Sequence, residues 1–265
     1  MKTIEDLINE YVSKGMTINQ AESYISQKII LNKISKSPFV NKVLIKGGVV
    51  MYHMTHNLRR TTFDLDFDFI RYDISLPSIK RFINTLNRYD EEYIVTANKI
   101  EPLHQEDYKG KRVWTSIKDD TYTIKFKLDI GVHTLLGLTQ LDTCFSFEED
   151  ERVFLKINPP EQIFAEKLYA LCKLGASSTR IKDIYDIYYL ISQNLLDKGV
   201  TKKCIELLLI NNRKGISSLE DICQIVSNVF IDKFYINKME SVTEKWIDED
   251  YIVIFKVILD YIYSL

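Results

Sequence analysis

Residues 64–70, DLDFDFI, alternate without a break: Asp64, Asp66 and Asp68 take every second position, and Leu65, Phe67 and Phe69 fill the positions between. A period of two marks a half-buried strand, because successive side chains leave a strand on opposite faces. One face of this strand is therefore apolar and aromatic, and the other carries three carboxylates. Upstream the period changes. Leu7, Ile8, Tyr11, Ile18, Ala21, Ile25, Ile29 and Ile30 recur at helical spacing, which predicts helix over residues 3–36 with a break near Gly15. Residues 43–46, VLIK, predict a short strand that runs straight into Gly47 and Gly48, and residues 49–58 predict the helix that leads to the acidic strand.

Residues 75–89 form an amphipathic helical pattern with Pro77 tolerated in its first turn. Strand-like runs follow at 93–100, 112–118 and 121–130, and Asp119-Asp120 supplies a tight turn between the last two. In the third run Tyr122, Ile124, Phe126, Leu128 and Ile130 share one face, while Thr123, Lys125, Lys127 and Asp129 share the other. FSFEEDER, residues 145–152, reads as an acidic loop, and residues 153–157 as a short strand. From Pro159-Pro160 onward the pattern is helical without convincing strands, the first helix opening at proline and closing at Gly175. The expected organisation is an α/β (α+β) domain over residues 1–158, a mixed sheet with flanking helices, followed by a helical domain over 159–265. The late apolar run YIVIFKVILDYIYSL is interrupted by Lys256 and Asp260, is too short for a clean bilayer span, and reads as a buried terminal helix.

Composition narrows the class without naming a partner. With 265 residues, 46% hydrophobic and 27% charged, the chain is globular and long enough for a sizeable core. A net charge of -2 conceals 35 basic and 37 acidic residues, so only local clustering informs on partners. Cys144, Cys172, Cys204 and Cys223 lack CxxC spacing and a neighbouring histidine cluster, which argues against a zinc site or a disulfide framework and for free buried thiols in a reducing cytoplasm. The opening MKTIEDLINEYVSKG lacks the apolar core of a signal peptide. A cytoplasmic location without membrane attachment is expected.

Lys46-Gly47-Gly48 at a strand-to-helix junction lets backbone N–H groups approach a phosphate, although a glycine pair also ends many strands for steric reasons alone. Neither the P-loop nor the dinucleotide fingerprint is present. The acidic strand that follows changes the weight of that turn. Asp64 and Asp66, two residues apart, form a hard-oxygen donor set suited to Mg²⁺ or Mn²⁺ held against a bound triphosphate. An EF-hand is excluded by Phe69 and Ser75 at the positions requiring glycine and glutamate, and a phosphatase-type DxDxT by Asp68 in place of threonine. Asp129 stands either as a third carboxylate from a neighbouring strand or as a strand-end acid paired with Lys125 or Lys127. Lys167, within EQIFAEKLY, either reaches a phosphate or is solvated. Asp183 and Asp186 share a helix face with Arg180, as an exposed charge ladder or as the lining of a cleft.

Taken in order, LIKGGVVMYH, RTTFDLDFDF, KLDIGV, PPEQIFAEKLYAL and RIKDIYDIYYL resemble the AbiEii-type nucleotidyltransferases, the toxins of abortive-infection and type IV toxin-antitoxin systems. The resemblance spans about residues 44–190. It implies a polymerase-β-like nucleotidyltransferase core with a mixed sheet, and a helical C-terminal domain. Within it Gly47 and Gly48, beside Lys46, match the phosphate-cradling turn, Asp64 and Asp66 the metal-binding pair, and Asp129 the third acid. Lys167 matches a lysine expected to contact the triphosphate, Asp183 and Asp186 the acidic helix, and Arg60 and Thr62 the lead-in to the acidic pair. Fifteen residues separate Gly48 from Asp64, longer than the superfamily's glycine-serine signature, and glycine replaces its serine. Asp68 is a third in-phase acid with no assigned role. The implied activity is Mg²⁺- or Mn²⁺-dependent transfer of a nucleoside monophosphate from an NTP to a hydroxyl, with an RNA acceptor such as the 3′ end of tRNA and a separately encoded antitoxin. Lys33, Lys36, Lys42, Arg59, Arg60, Arg71, Lys80 and Arg81 form either an RNA-facing surface or scattered charge. The competing expectations are a catalytically silent nucleotide- or partner-binding module on the same fold, and a transferase acting on a protein.

Overall fold

The acidic strand lies near the middle of a seven-stranded mixed sheet with strand order β3-β4-β5-β2-β1-β7-β6. A computed structural model describes residues 2–265 apart from 90, 104–109, 135–137, 149–150, 211–214 and 243–244, and without the side chains of 148 and 151. The chain divides into two compact units, Met1–Asn158 and Pro159–Leu265.

In the first unit the order is α1 (Ile4–Ser13), α2 (Ile18–Lys36), β1 (Val43–Lys46), α3 (Gly48–Thr55), β2 (Asp64–Phe69), α4 (Leu76–Tyr89), β3 (Ile94–Pro102), β4 (Lys111–Lys118), β5 (Thr123–Val132), β6 (Leu141–Glu148) and β7 (Glu151–Ile157). The predicted 3–36 helix is two helices, each opened by a capping box (Thr3 with Asp6, Thr17 with Gln20) and separated at Gly15, where φ is +95°. Strand β2 runs antiparallel to β1 and parallel to β5. Its apolar face is closed over: Leu65, Phe67 and Phe69 are all fully buried. Phe82 of α4 packs against them with ring centroids 5.6 Å from Phe67 and 5.1 Å from Phe69. Each such aromatic contributes about 1.5–3 kcal/mol by leaving water, and that burial fixes the register that turns the acids to the opposite face.

Several expectations are corrected. FSFEEDER is not a loop: residues 145–148 end β6 and residues 151–152 begin β7, an antiparallel hairpin, with Glu149 and Asp150 outside the described residues. The charges at 148–152 mask a strand whose Phe145 and Phe147 alternate inward at period two. The helix expected over 49–58 stops at Thr55, because His56 adopts a left-handed conformation (φ 50°) and a 3₁₀ turn takes residues 58–60. Cys172, Cys204 and Cys223 are buried as expected, but Cys144 is exposed. Lys33 and Arg60 are buried and belong to no surface.

The second unit is helical among its described residues: α5 (Pro160–Leu174), α6 (Ile181–Ser192), α7 (Lys198–Ile205), α8 (Leu219–Phe230), α9 (Lys233–Ser241) and α10 (Tyr251–Tyr263), with a π-helical turn at Glu206–Ile210. The terminal helix is amphipathic rather than buried throughout. Ile254, Phe255, Ile258 and Ile262 face inward, with Phe255 stacked on Phe230 at 3.9 Å, whereas Ile252 and Tyr263 are exposed. No described helix is long and apolar enough to cross a membrane.

Strand β1 enters α3 through Gly47, with φ +72° and ψ -149°, a conformation nearly confined to glycine. A Cβ placed there would lie 2.2 Å from Asp66 Oδ2, so the turn presses directly on the acidic strand. Gly15 is also left-handed but faces open space. Gly47→Ala is therefore expected to cost about 3 kcal/mol or more, against about 1–2 kcal/mol for Gly15→Ala. Denaturant unfolding of both variants checks this. Equal losses would mean that the turn and strand do not approach as closely as described.

Candidate active site

Cross-strand pairing assembles the site. Asp66 lies opposite Lys46 of β1 on one side and opposite Asp129 of β5 on the other, and Asp129 lies opposite Arg112 of β4. Directly paired residues project to the same face of a sheet. The result is a transverse row of cation, acid, acid, cation: Lys46, Asp66, Asp129, Arg112. Asp64, two residues before Asp66, joins the same face, and oxygens of Asp64, Asp66 and Asp129 all lie within 4.8 Å of one another.

Each acid is held differently. Asp64 Oδ1 accepts a hydrogen bond from Thr62 Oγ1 at 2.8 Å. Gln27 of α2 donates to the carbonyls of Thr62 and Asp64, at 3.0 and 3.2 Å, fixing the backbone that leads into the strand. Asp129 accepts both arms of the Arg112 guanidinium, Nε to Oδ1 at 2.8 Å and Nη2 to Oδ2 at 2.7 Å. Its partner is thus Arg112, not Lys125 or Lys127. For Asp66 no hydrogen-bond donor is present among the described residues. Burial, then the charges of Asp64, Asp129 and Asp68, push its carboxyl up to about 7, with Lys46 opposing the rise.

Asp68 shares the acidic face but not the cluster. It is buried and forms an ion pair with Lys46 at 2.7 Å. Lys46, expected at the phosphate, is thereby engaged on the strand. Gly48 is needed for proximity as well, since a Cβ there would lie 2.6 Å from Thr62 Cβ and Oγ1. Arg60, also expected near phosphate, is 4% exposed.

The three residues expected from the helical half come together within the second unit. Lys167 of α5 pairs with Asp183 Oδ1 at 2.5 Å and with Asp186 Oδ2 at 2.7 Å, both on α6. Their side chains are 11%, 16% and 0% exposed. Neither a solvated lysine nor an exposed charge ladder describes them. Arg180 lies 3.7 Å from Asp183 at the edge of this group.

Arg112 was not anticipated, and loop length explains why. A two-residue turn at Asp119-Asp120 would put Arg112 opposite Lys127. The connection is four residues long, with Asp119 Oδ1 accepting from the backbone N–H of Thr121 and Tyr122, and this shifts Arg112 to Asp129.

The donor set fits a hard divalent ion: three carboxylates converge, and Asp66 has no hydrogen-bond donor among the described residues and a carboxyl pushed up by burial and then by its neighbours' charges, which a cation would offset. A mixed sheet of this kind, with flanking helices and a helical C-terminal unit, is the fold of a nucleotidyltransferase, an enzyme class that uses divalent metals, and the three converging carboxylates could hold such an ion. The chain belongs to the AbiEii family, whose model, described as nucleotidyl transferase AbiEii toxin of type IV toxin-antitoxin systems, matches residues 29–252. Membership implies a nucleotide substrate and a cognate antitoxin. No curated protein matches the chain at a significant level. Among solved structures it is similar to JHP933 from Helicobacter pylori, with a TM-score of 0.54 and 14% identity over 94% of this chain and 93% of that one. It is likewise similar to a candidate nucleotidyltransferase of H. pylori, with a TM-score of 0.51 and 14% identity over 92% of both chains. At that identity the likeness concerns the fold.

The two neighbouring acids are expected to respond oppositely to loss of charge. The folded state keeps the Asp66 proton up to about pH 7, whereas an unfolded carboxyl releases it near its ordinary value of about 4. The folded state therefore loses stability as pH rises between these values, and the penalty is complete above pH 7. Asp66→Asn removes that penalty and is expected to raise the melting temperature at pH 8 by about 2–4 °C without divalent ions, with little change near pH 4. Asp68→Asn removes the buried charge paired with Lys46 and is expected to cost about 2 kcal/mol. Thermal melts across pH check both; destabilisation by Asp66→Asn at pH 8 would contradict the crowded-acid description.

Proposed function

We propose that this protein transfers a nucleoside monophosphate from an NTP to a hydroxyl of an RNA acceptor, with Mg²⁺ or Mn²⁺ held by Asp64, Asp66 and Asp129, and that growth inhibition by this reaction is what the antitoxin counters. The observation that carries the reading is the convergence of three carboxylates on one sheet face beside a glycine turn, with Asp66 lacking a donor. When bound, the divalent ion supplies charge neutralisation around the attacked phosphorus and the departing pyrophosphate. Gly47 and Gly48 present a backbone without side chains at the start of α3, where N–H groups and the helix dipole favour the phosphate tail. Thr62 keeps Asp64 turned toward the shared position.

The acceptor oxygen forms a bond to the α-phosphorus as the bond from that phosphorus to the pyrophosphate oxygen breaks. Asp129 orients the attacking hydroxyl and takes its proton on a lone pair that Arg112 leaves free, each carboxylate oxygen having two. Lys167, with Asp183 and Asp186, is assigned to the triphosphate, the two acids holding the ammonium in place until the nucleotide's charge competes for it. The domain roles follow: residues 1–158 as the transferase core and 159–265 as a helical domain that carries the Lys167 cluster. NTP and RNA pools place the reaction in the cytoplasm. An RNA acceptor, with the 3′ end of tRNA foremost, is preferred over a protein acceptor because the resemblance to AbiEii-type nucleotidyltransferase toxins implies it.

Incubation with each α-labelled NTP, Mg²⁺ and total RNA tests the proposal. Labelled RNA is expected, with turnover reduced at least about 10³-fold in Asp66→Ala and about 10²-fold in Lys167→Ala, and with Asp66→Ala still folded. Label on protein alone would overturn the acceptor assignment, and no transfer with any NTP would overturn the activity.

A further inference from the structure

We infer that Arg112 is a positioning residue that sets the orientation of the Asp129 carboxylate for a divalent cation shared with Asp64 and Asp66. This inference rests on the metal-assisted reading above and adds a residue to it.

A carboxylate on a strand rotates freely about its last bond unless something fixes its plane. Arg112 fixes it with two parallel hydrogen bonds, 2.8 and 2.7 Å, from one planar guanidinium to both Asp129 oxygens. The fork is itself fixed. Arg112 sits directly opposite Asp129 in the β4–β5 ladder, so the backbone register sets the approach. On its other side the paired residue, Glu101 of β3, accepts from Trp114 Nε1 at 2.8 Å and pairs with Lys99. With Glu101 served by other partners, the Arg112 fork is directed to Asp129. The two arms use one lone pair on each Asp129 oxygen, and one of the two that remain is left for the position that Asp64 and Asp66 also address.

The three acids are thus supported unequally. Asp64 is oriented by Thr62, Asp129 by Arg112, and Asp66 by contact with Gly47 without a donor. Two pre-oriented ligands flank one that a cation itself must settle. Outer groups of this kind commonly govern metal affinity as strongly as 10–100-fold. A simple charge-balancing role for Arg112 is a distinct alternative, and lysine separates the two: it keeps the positive charge and loses the fork.

Mn²⁺ binding without nucleotide, followed by calorimetry and by paramagnetic resonance, is measured for the wild type, Arg112→Lys, Arg112→Gln and Asp66→Asn, together with kcat and KM for NTP. Both Arg112 variants are expected to bind Mn²⁺ about tenfold more weakly or worse and to lose kcat with KM for NTP nearly unchanged. Their melting temperatures without metal are expected to stay within a few degrees of wild type; should Arg112→Gln unfold, Arg112→Lys carries the test. Wild-type Mn²⁺ affinity in Arg112→Lys would overturn the inference while leaving the metal site intact. Absence of Mn²⁺ binding in the wild type itself, or undiminished binding in Asp66→Asn, would overturn the metal-site reading.

Discussion

Mutual repulsion among carboxylates on one face of the sheet is the constraint around which the first unit is arranged. Asp64, Asp66 and Asp129 are brought within 4.8 Å by strand pairing, and burial together with the charges of its neighbours pushes the Asp66 carboxyl up to about 7. A protein that needed only a stable sheet would have no reason to hold three acids so close, because separating or neutralising any one of them lowers the electrostatic cost. The cost is sustained by the opposite face of the same strand. Leu65, Phe67 and Phe69 are locked into the core, and a one-residue slip that dispersed the acids would expose all three.

The neighbouring groups follow from the same constraint. Gly47 and Gly48 are where a Cβ would collide with Asp66 and Thr62, so the turn comes within contact of the acids only because both positions lack a side chain. Arg112 and Lys46 stand at the two ends of the transverse row and take different acids, Arg112 gripping Asp129 and Lys46 pairing with Asp68. Asp68 thereby acquires a structural role although it lies in phase with the two candidate ligands. In the second unit the pattern is inverted. One lysine, Lys167, is enclosed by two acids, of which Asp186 is fully buried, so its ammonium is held in a defined place.

Much of this was legible in the sequence because periodicity is a direct record of burial. The alternation at 64–69 gave both the strand and the identity of its acidic face, and the glycine pair followed by helical spacing located the turn. What was not legible depends on register and on long-range pairing. The Arg112–Asp129 pair turned on whether a hairpin connection has two or four residues. The burial of Lys33, Arg60, Lys167 and Asp186 could not be read from residue type, since charged side chains ordinarily favour the surface and only tertiary partners reverse this. Strand β6 was missed because the charges clustered at its end outweighed the alternation of Phe145 and Phe147.

The most direct measurement of the central claim is the position of Mn²⁺ in crystals soaked with it, located by anomalous diffraction. An anomalous peak is expected in direct coordination distance of oxygens from Asp64, Asp66 and Asp129, and is lost in crystals of Asp66→Asn. A peak that avoids these carboxylates, or one that persists unchanged without the Asp66 charge, would contradict it.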